Sequence, residues 1–289
     1  MSFGKVITAL ITPFKGERVD IEGLKDNISF QIEAEVDGLL FLGSTGEGNS
    51  LSSDEREEVM EVAVQEGKGK IPILFSVGGL STKEVIEKVK IAEDKGGDVL
   101  LITPPYYLLP SQEGMIAHFE AIAEKTSVPI ILYNHPKRTG VHLEVETVKR
   151  LASLKNIVGI KDASGQLGYS VAIRDALPHF ELYAGDDLFS LPLLAIGGSG
   201  VISVLSNLMP QEMKKMVLEK EPTLYQKLYP FMKMSQIETN PVPIKAMMNF
   251  ANLPAGECRL PLTPLTPSSQ CQIEELLKKS FIAPMATHD

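Results

Sequence analysis

Two stretches, Asp98-Val99-Leu100-Leu101-Ile102-Thr103 and Pro129-Ile130-Ile131-Leu132-Tyr133-Asn134, are short, almost unbroken apolar runs that end in polar residues. A strand that alternates apolar and polar residues has one wet face. A strand apolar at nearly every position is buried on both faces, as in a parallel sheet covered by helices. Six further runs have the same character: Lys5 to Thr12, Gly38 to Leu42, Ile71 to Val77, Ile157 to Lys161, Glu181 to Gly185 and Gly200 to Val204. Between them lie amphipathic segments with apolar residues three and four apart, among them Asp54 to Gln65, Thr82 to Lys95, Gln112 to Lys125 and Glu144 to Leu154. Helix starts are expected at Ser53-Asp54-Glu55-Arg56 and Ser81-Thr82-Lys83-Glu84. Eight strand-helix units predict an α/β fold of the (β/α)8 TIM-barrel type. The competing doubly wound sheet lacks its fingerprint, G-x-G-x-x-G after the first strand. Past Leu224 the strand pattern stops and three helical segments remain, Leu224 to Ile237, Pro243 to Ala251 and Ser268 to Phe281. The expected organisation is a catalytic barrel over residues 1–224 and a C-terminal helical appendage over 225–289.

Composition sets outer limits. Of 289 residues, 44% are hydrophobic and 22% charged, enough apolar side chain for a large core and too much for disorder. A net charge of -9 argues against nucleic-acid binding, which needs a clustered positive surface. No run approaches the roughly 20 apolar residues of a membrane span, and the first residues do not read as a signal peptide, so a cytoplasmic location is expected. Two cysteines, Cys258 and Cys271, are too few for a disulfide framework, and the five histidines show no metal-binding spacing. No metal is expected.

In such a barrel the reacting groups stand at the C-terminal ends of the strands. The sixth run ends in Lys161, followed by Asp162-Ala163-Ser164-Gly165. A lysine at the mouth of a low-dielectric barrel has its charged form disfavoured, which frees an amine to attack a carbonyl. The alternative is a lysine paired to a carboxylate at the rim, with Asp162 the adjacent choice. The fifth run ends Tyr133-Asn134-His135-Pro136-Lys137-Arg138-Thr139-Gly140. Tyr133 can relay protons if its phenol is held in a hydroxyl network, and Arg138 offers a planar fork for a carboxylate. Each also has a plain reading, as a core aromatic and a surface charge. The loop Gly43-Ser44-Thr45-Gly46-Glu47-Gly48-Asn49-Ser50 can bind an anion through its amides and two hydroxyls, but is no dinucleotide or Walker loop. Gly197-Gly198-Ser199-Gly200 reads as close packing of a loop against the barrel, with a phosphate cradle as the alternative. In Thr103-Pro104-Pro105-Tyr106-Tyr107-Leu108-Leu109-Pro110 two tyrosines sit in a proline-stiffened loop whose leucines suggest a covered surface, such as a contact between subunits.

The segments GSTGEGNSLSSDER, TPPYYLLPSQEG, YNHPKRTG, GIKDASG, YAGDD, GGSGVISV, NPVPIKAM and CRLPLTPLTP together resemble the dihydrodipicolinate synthase family, in order and spacing over almost the whole chain. The resemblance implies a lyase-class synthase that joins pyruvate to aspartate-4-semialdehyde through a Schiff base on Lys161, in lysine and diaminopimelate biosynthesis. It implies no cofactor, since the imine serves as electron sink. Tyr133 would shuttle protons, with Ser44 bridging it to Tyr107 of a neighbouring subunit. Thr45, the backbone near Ile202 and Gly185 of the YAGDD segment would hold pyruvate, and Arg138 the carboxylate of the semialdehyde. A homotetramer, a dimer of dimers, is the assembly usual in this family. A related pyruvate aldolase such as N-acetylneuraminate lyase is the nearest rival; the lyases resembling this chain carry no arginine at the place of Arg138. A non-catalytic keto-acid-binding barrel would keep Lys161, Tyr133, Ser44 and Arg138 without use.

Four positions depart from the family pattern: Ser44 stands where threonine is usual, Asp162 where glutamate is commoner, and Leu108 and Leu109 where polar residues are frequent. Lysine-inhibited members bind the effector with a histidine pair and an asparagine, where this chain has Ser53, Arg56 and Leu80; only Glu84 and Tyr106 fit. Weak or absent lysine inhibition is therefore expected.

Overall fold

In the computed structural model, which describes residues 3–282, the eight expected runs form one closed parallel barrel. Its strands are β1 (Val6–Ala9), β2 (Gly38–Phe41), β3 (Ile73–Val77), β4 (Val99–Ile102), β5 (Ile130–Asn134), β6 (Ile157–Asp162), β7 (Glu181–Ala184) and β8 (Gly200–Ser203). Each pairs with its neighbour in sequence, and β1 closes the ring against β8 through Val6–Val201, Ile7–Ile202 and Thr8–Ser203. Closure rules out the doubly wound alternative.

The period of two along each strand sorts the residues into two cores. Ile7, Leu40, Leu74, Leu101, Ile131, Tyr183 and Ile202 fill the barrel. Val6, Leu39, Ile73, Leu100, Ile130, Ile160 and Val201 face outward into a second layer shared with the helices. Both sets are shielded from water, which is why the strands read as continuous apolar runs.

The surrounding helices are α1 (Ile21–Glu33), α2 (Ser53–Gly67), α3 (Thr82–Asp94), α4 (Gln112–Ala123), α5 (Val145–Leu151), α6 (Leu167–Ala176), α7 (Ser190–Ala195) and α8 (Pro210–Glu219). Helix α3 starts at the expected Ser81 cap, whose side chain accepts from the Glu84 amide. Helix α2 is capped one residue earlier than expected. Ser52, not Ser53, has the extended backbone, and its hydroxyl accepts from the Glu55 amide while the Glu55 carboxylate accepts from the Ser52 amide. Only Ser52 stands three residues before a glutamate, so only it can close the reciprocal box.

After the barrel come α9 (Pro222–Met234), α10 (Val242–Phe250) and α11 (Pro267–Ile282), close to the expected segments. Residues 283–289 of the expected 225–289 appendage lie outside the described residues. One feature absent from the sequence reading is a short hairpin, Phe14–Lys15 against Arg18–Val19, just past the C-terminal end of β1. Its Phe14 ring lies under the Lys245 ammonium at 4.1 Å and the Arg259 guanidinium at 4.3 Å, joining the barrel mouth to the C-terminal segment. Cys258 and Cys271 are free thiols. No helix among the described residues is long and apolar enough to cross a membrane.

Candidate active site

Lys161 and Tyr133 are paired across β5 and β6, so both side chains point into the barrel at its mouth. Lys161 is 5% exposed, and its Nζ stands 4.5 Å above the centre of the Tyr133 ring. Among the described residues it has no hydrogen bond and no carboxylate within 4 Å. Asp162, one residue on, faces the opposite side. There it accepts from Asn134 Nδ2 at 3.0 Å, the Ser164 amide at 3.0 Å and Ser170 Oγ at 2.8 Å. The period of two thus removes the nearest carboxylate from the lysine.

Burial without a contact partner brings the Lys161 amine from its usual 10.5 down to about 8, with the Asp187 charge opposing the fall and Arg138 adding to it. A sizeable fraction is the free base near neutrality, the state that attacks a carbonyl. Burial also pushes the Tyr133 phenol up to about 12; Arg138 and a hydrogen bond with Ser44 hold it back, and Asp186 reinforces the rise. Tyr133 therefore keeps its proton near neutrality. His135, edge-on to Tyr133 at 5.7 Å, is brought down to about 4 by burial and by the cations Arg138, Lys161 and Lys137, so it too is neutral.

The loop after β2 is held in a backbone shape that its glycines permit. A Cβ on Gly48 would lie 2.0 Å from the Leu42 carbonyl oxygen. Glu47 adopts a left-handed conformation (φ 49°) and buries its carboxylate against Lys245 Nζ at 2.6 Å, while the Arg259 amide donates to it at 3.0 Å. This buried pair ties the loop carrying Ser44 and Thr45 to α10. Asn240, just before α10, ties it again: Nδ2 donates to Thr45 Oγ1 at 3.0 Å, and the backbone oxygen accepts from Arg138 Nη2 at 3.1 Å. Arg138 rides on a one-turn helix, Pro136–Thr139, ended by Gly140 at φ 77°.

Six of the expected residues, Ser44, Thr45, Tyr133, Arg138, Lys161 and Gly185, line one cavity of about 460 Å³. The loop from Ser235 to Asn240 forms part of its wall. A second cavity of about 430 Å³ shares Ser44, Tyr133 and Arg138 and is walled by Arg56 and Tyr106. Two expected residues stand apart. Ile202 is wholly buried in the barrel interior, and Val204, two residues on, lines the cavity instead. Tyr107 is 82% exposed at φ 68°, beside Leu108 and Leu109 at 60% each, and belongs to neither cavity wall. Asp187 and Asn240 were not singled out from sequence, though both lie in segments quoted above, YAGDD and NPVPIKAM. Their nearness to Lys161 and Arg138 arises only when the chain folds.

The sequence model of the Dihydrodipicolinate synthetase family matches residues 2–280. The chain belongs to that family. It is 41% identical over 284 residues to the 4-hydroxy-tetrahydrodipicolinate synthase of Protochlamydia amoebophila, covering 94% of this chain and 95% of that one. It is 42% identical over 285 residues to the corresponding synthase of Methanocaldococcus jannaschii, with 96% and 98% covered. The dihydrodipicolinate synthase of Acinetobacter baumannii, solved as a chloride-inhibited complex with pyruvate, superposes with a TM-score of 0.94 at 36% identity, over 97% of this chain and all of that one. This chain is an enzyme with 4-hydroxy-tetrahydrodipicolinate synthase activity, acting in lysine biosynthesis.

Proposed function

We propose that the chain condenses pyruvate with aspartate-4-semialdehyde through an imine on Lys161. The observation that carries this reading is the unpaired, buried amine of Lys161 above Tyr133, in a cavity shared with Thr45 and Arg138. Thr45 and the strand-end backbone past Ile202 and at Gly185 orient the pyruvate carboxylate. The free amine adds to C2, and the carbinolamine loses water to leave a protonated imine. Loss of a C3 proton then gives an enamine, whose carbon attacks the aldehyde. Arg138 holds the carboxylate of the second substrate, whose amino group closes the ring on the imine carbon and releases Lys161. Tyr133 carries protons at each step, with Ser44 as its hydrogen-bonded neighbour. The imine is the electron sink, so the scheme uses no cofactor.

Tyr107 joins this relay from a second subunit. In its own chain it points to solvent with two leucines, and a homotetramer of paired dimers supplies the neighbour. Residues 1–224 form the catalytic unit, residues 225–289 the C-terminal appendage, whose helix α10 braces the barrel mouth through Lys245, and the enzyme works in the cytoplasm. Borohydride reduction with pyruvate followed by peptide mapping tests the chemistry: the three-carbon adduct is expected on Lys161, and an adduct elsewhere overturns the proposal. Turnover with aspartate-4-semialdehyde but not with N-acetylmannosamine separates this reading from a sugar-acid lyase.

A further inference from the structure

The imine step creates a positive charge in a place that water hardly reaches. A neutral amine and a ketone enter. One proton is taken up, one water leaves, and a C=N–H cation remains on a side chain that is 5% exposed as the free lysine. A charge fixed in such a site needs a counter-charge held by the protein.

The charged and titratable groups around Lys161 are few. Tyr133 and His135 come from β5 and its end, Arg138 and Lys137 from the one-turn helix, Asp186 and Asp187 from the end of β7, and Glu238 from the loop before α10. Two of the three carboxylates are committed at the rim: Asp186 to Gln236 Nε2 at 2.6 Å and the Leu188 amide at 2.9 Å, and Glu238 to Thr266. Asp187 alone of the three is buried, at 3% exposure. Its Oδ2 accepts from the amides of Val204 at 3.0 Å and Leu205 at 2.8 Å, just past β8, and the Ser203 hydroxyl lies beside it. These donors fix the carboxyl at the cavity wall and favour its ionised form.

We propose that Asp187 is the counter-ion of the protonated imine on Lys161, set back from the nitrogen rather than in contact with it. The setback has a chemical reason. A carboxylate within 4 Å would hold the free lysine as an ammonium ion and remove the nucleophile. Beyond that reach the same charge leaves the amine free to lose its proton, yet favours the cation once the imine fixes it. In keeping with this, the Asp187 charge opposes the burial-driven fall of the Lys161 pKa, and burial raises that of Asp187 itself. Asp187 thus acts on the reaction through the charge of Lys161, as a positioning residue of the electrostatic kind.

The proposal rests on the imine reading, so the test begins by locating the pyruvate adduct in the unaltered enzyme; failure there defeats that reading, not this one alone. Asp187→Asn keeps the shape and an oxygen for the two amides but removes the charge. With the adduct on Lys161, kcat is expected to fall about tenfold to a hundredfold, and the acid limb of the borohydride-trapping profile to move to lower pH, because an anion that favours the ammonium ion is gone. Asp187→Glu should restore part of the limb. An unmoved limb overturns the proposal, whether or not kcat falls, because loss of packing alone does not shift a titration. Should the variant fail to fold, infrared difference spectra of the unaltered enzyme with 13C-labelled aspartate decide. Forming the pyruvate imine must bring up no protonated aspartate band, and one that appears overturns the assignment.

Discussion

Lys161 and Lys245 are both buried lysines at the barrel mouth, each with an ammonium group over an aromatic ring, and they do opposite things. Lys245 is 1% exposed, 4.1 Å above Phe14, and 2.6 Å from the Glu47 carboxylate. Lys161 is 5% exposed, 4.5 Å above Tyr133, with no carboxylate in contact. Burial depresses both amines, but at Lys245 the Glu47 carboxylate opposes the fall by direct contact. The paired lysine is a strut that holds the Ser44–Thr45 loop to α10. The unpaired one is free to be the nucleophile of the proposed reaction, because the fold withholds a contact partner. Burial by itself therefore says little about function; whether the charge is answered at contact distance says much.

The sharpest way to break this contrast is to delete each lysine. Lys161→Ala should cost about four orders of magnitude or more in turnover, measured as synthase rate at saturating pyruvate. Its melting temperature should stay level or rise, since no partner is orphaned. A variant that melts early but still turns over would reverse the two roles. Tyr133→Phe should lower kcat by about 10²- to 10⁴-fold, the range of general acid-base groups, with trapping of the pyruvate adduct slowed but still on Lys161.

Lys245→Met makes the opposite prediction. It strands a buried Glu47 carboxylate and should cost about 3–5 kcal/mol in denaturant unfolding. Adding Glu47→Gln should recover part of that loss, because the orphaned charge is then gone. A single variant no less stable than the parent would show that the strut is not holding the loop.

Acidity sharpens the comparison further. The Lys161 amine sits near 8 in the fold and near 10.5 in the unfolded chain. Below 8 both states hold the proton, and the cost of burying the charge is fully present. Between 8 and 10.5 only the unfolded chain stays protonated, so stability should rise with pH across that window, by at most about 3 kcal/mol. Lys161→Ala should lack that slope, which urea titrations of the two proteins at pH 7 and pH 10 would reveal. In turnover the same group should produce a rise in kcat/KM for pyruvate toward pH 8.

The fold was legible because doubly buried strands leave a signal that survives without neighbours: eight apolar runs, each close to an observed strand. Lys161, Tyr133, Ser44, Thr45 and Arg138, picked out as strand-end residues, line one cavity because in a barrel the strand ends converge at the mouth. Asp187 and Asn240 carry no such local mark. Asp187 matters through its distance from Lys161 on the neighbouring strand, and Asn240 through bonds to Thr45 and Arg138, far off along the chain. The cap of α2 was misplaced by one residue because Ser52 and Ser53 are alike in type, and only the spacing to Glu55 separates them. Tyr107 was named through family resemblance; in the single chain it is exposed and lines neither cavity.

The smallest effect is expected from free lysine. In the second cavity Arg56 is partly desolvated, which pulls its pKa down, and the Glu84 charge opposes the fall. Glu84 is already engaged: Lys88 Nζ donates to it at 2.6 Å and the Leu80 amide at 3.1 Å, and these bonds hold its carboxyl below the usual range. An incoming ammonium group would meet a guanidinium and a carboxylate whose partners it must displace, beside a leucine that offers no side-chain hydrogen bond. Initial rates with millimolar lysine should therefore match those without it. Half-inhibition well below a millimolar would mean that Glu84 exchanges Lys88 for the effector, and would show that a carboxylate already paired in this fold can still be recruited as a binding group.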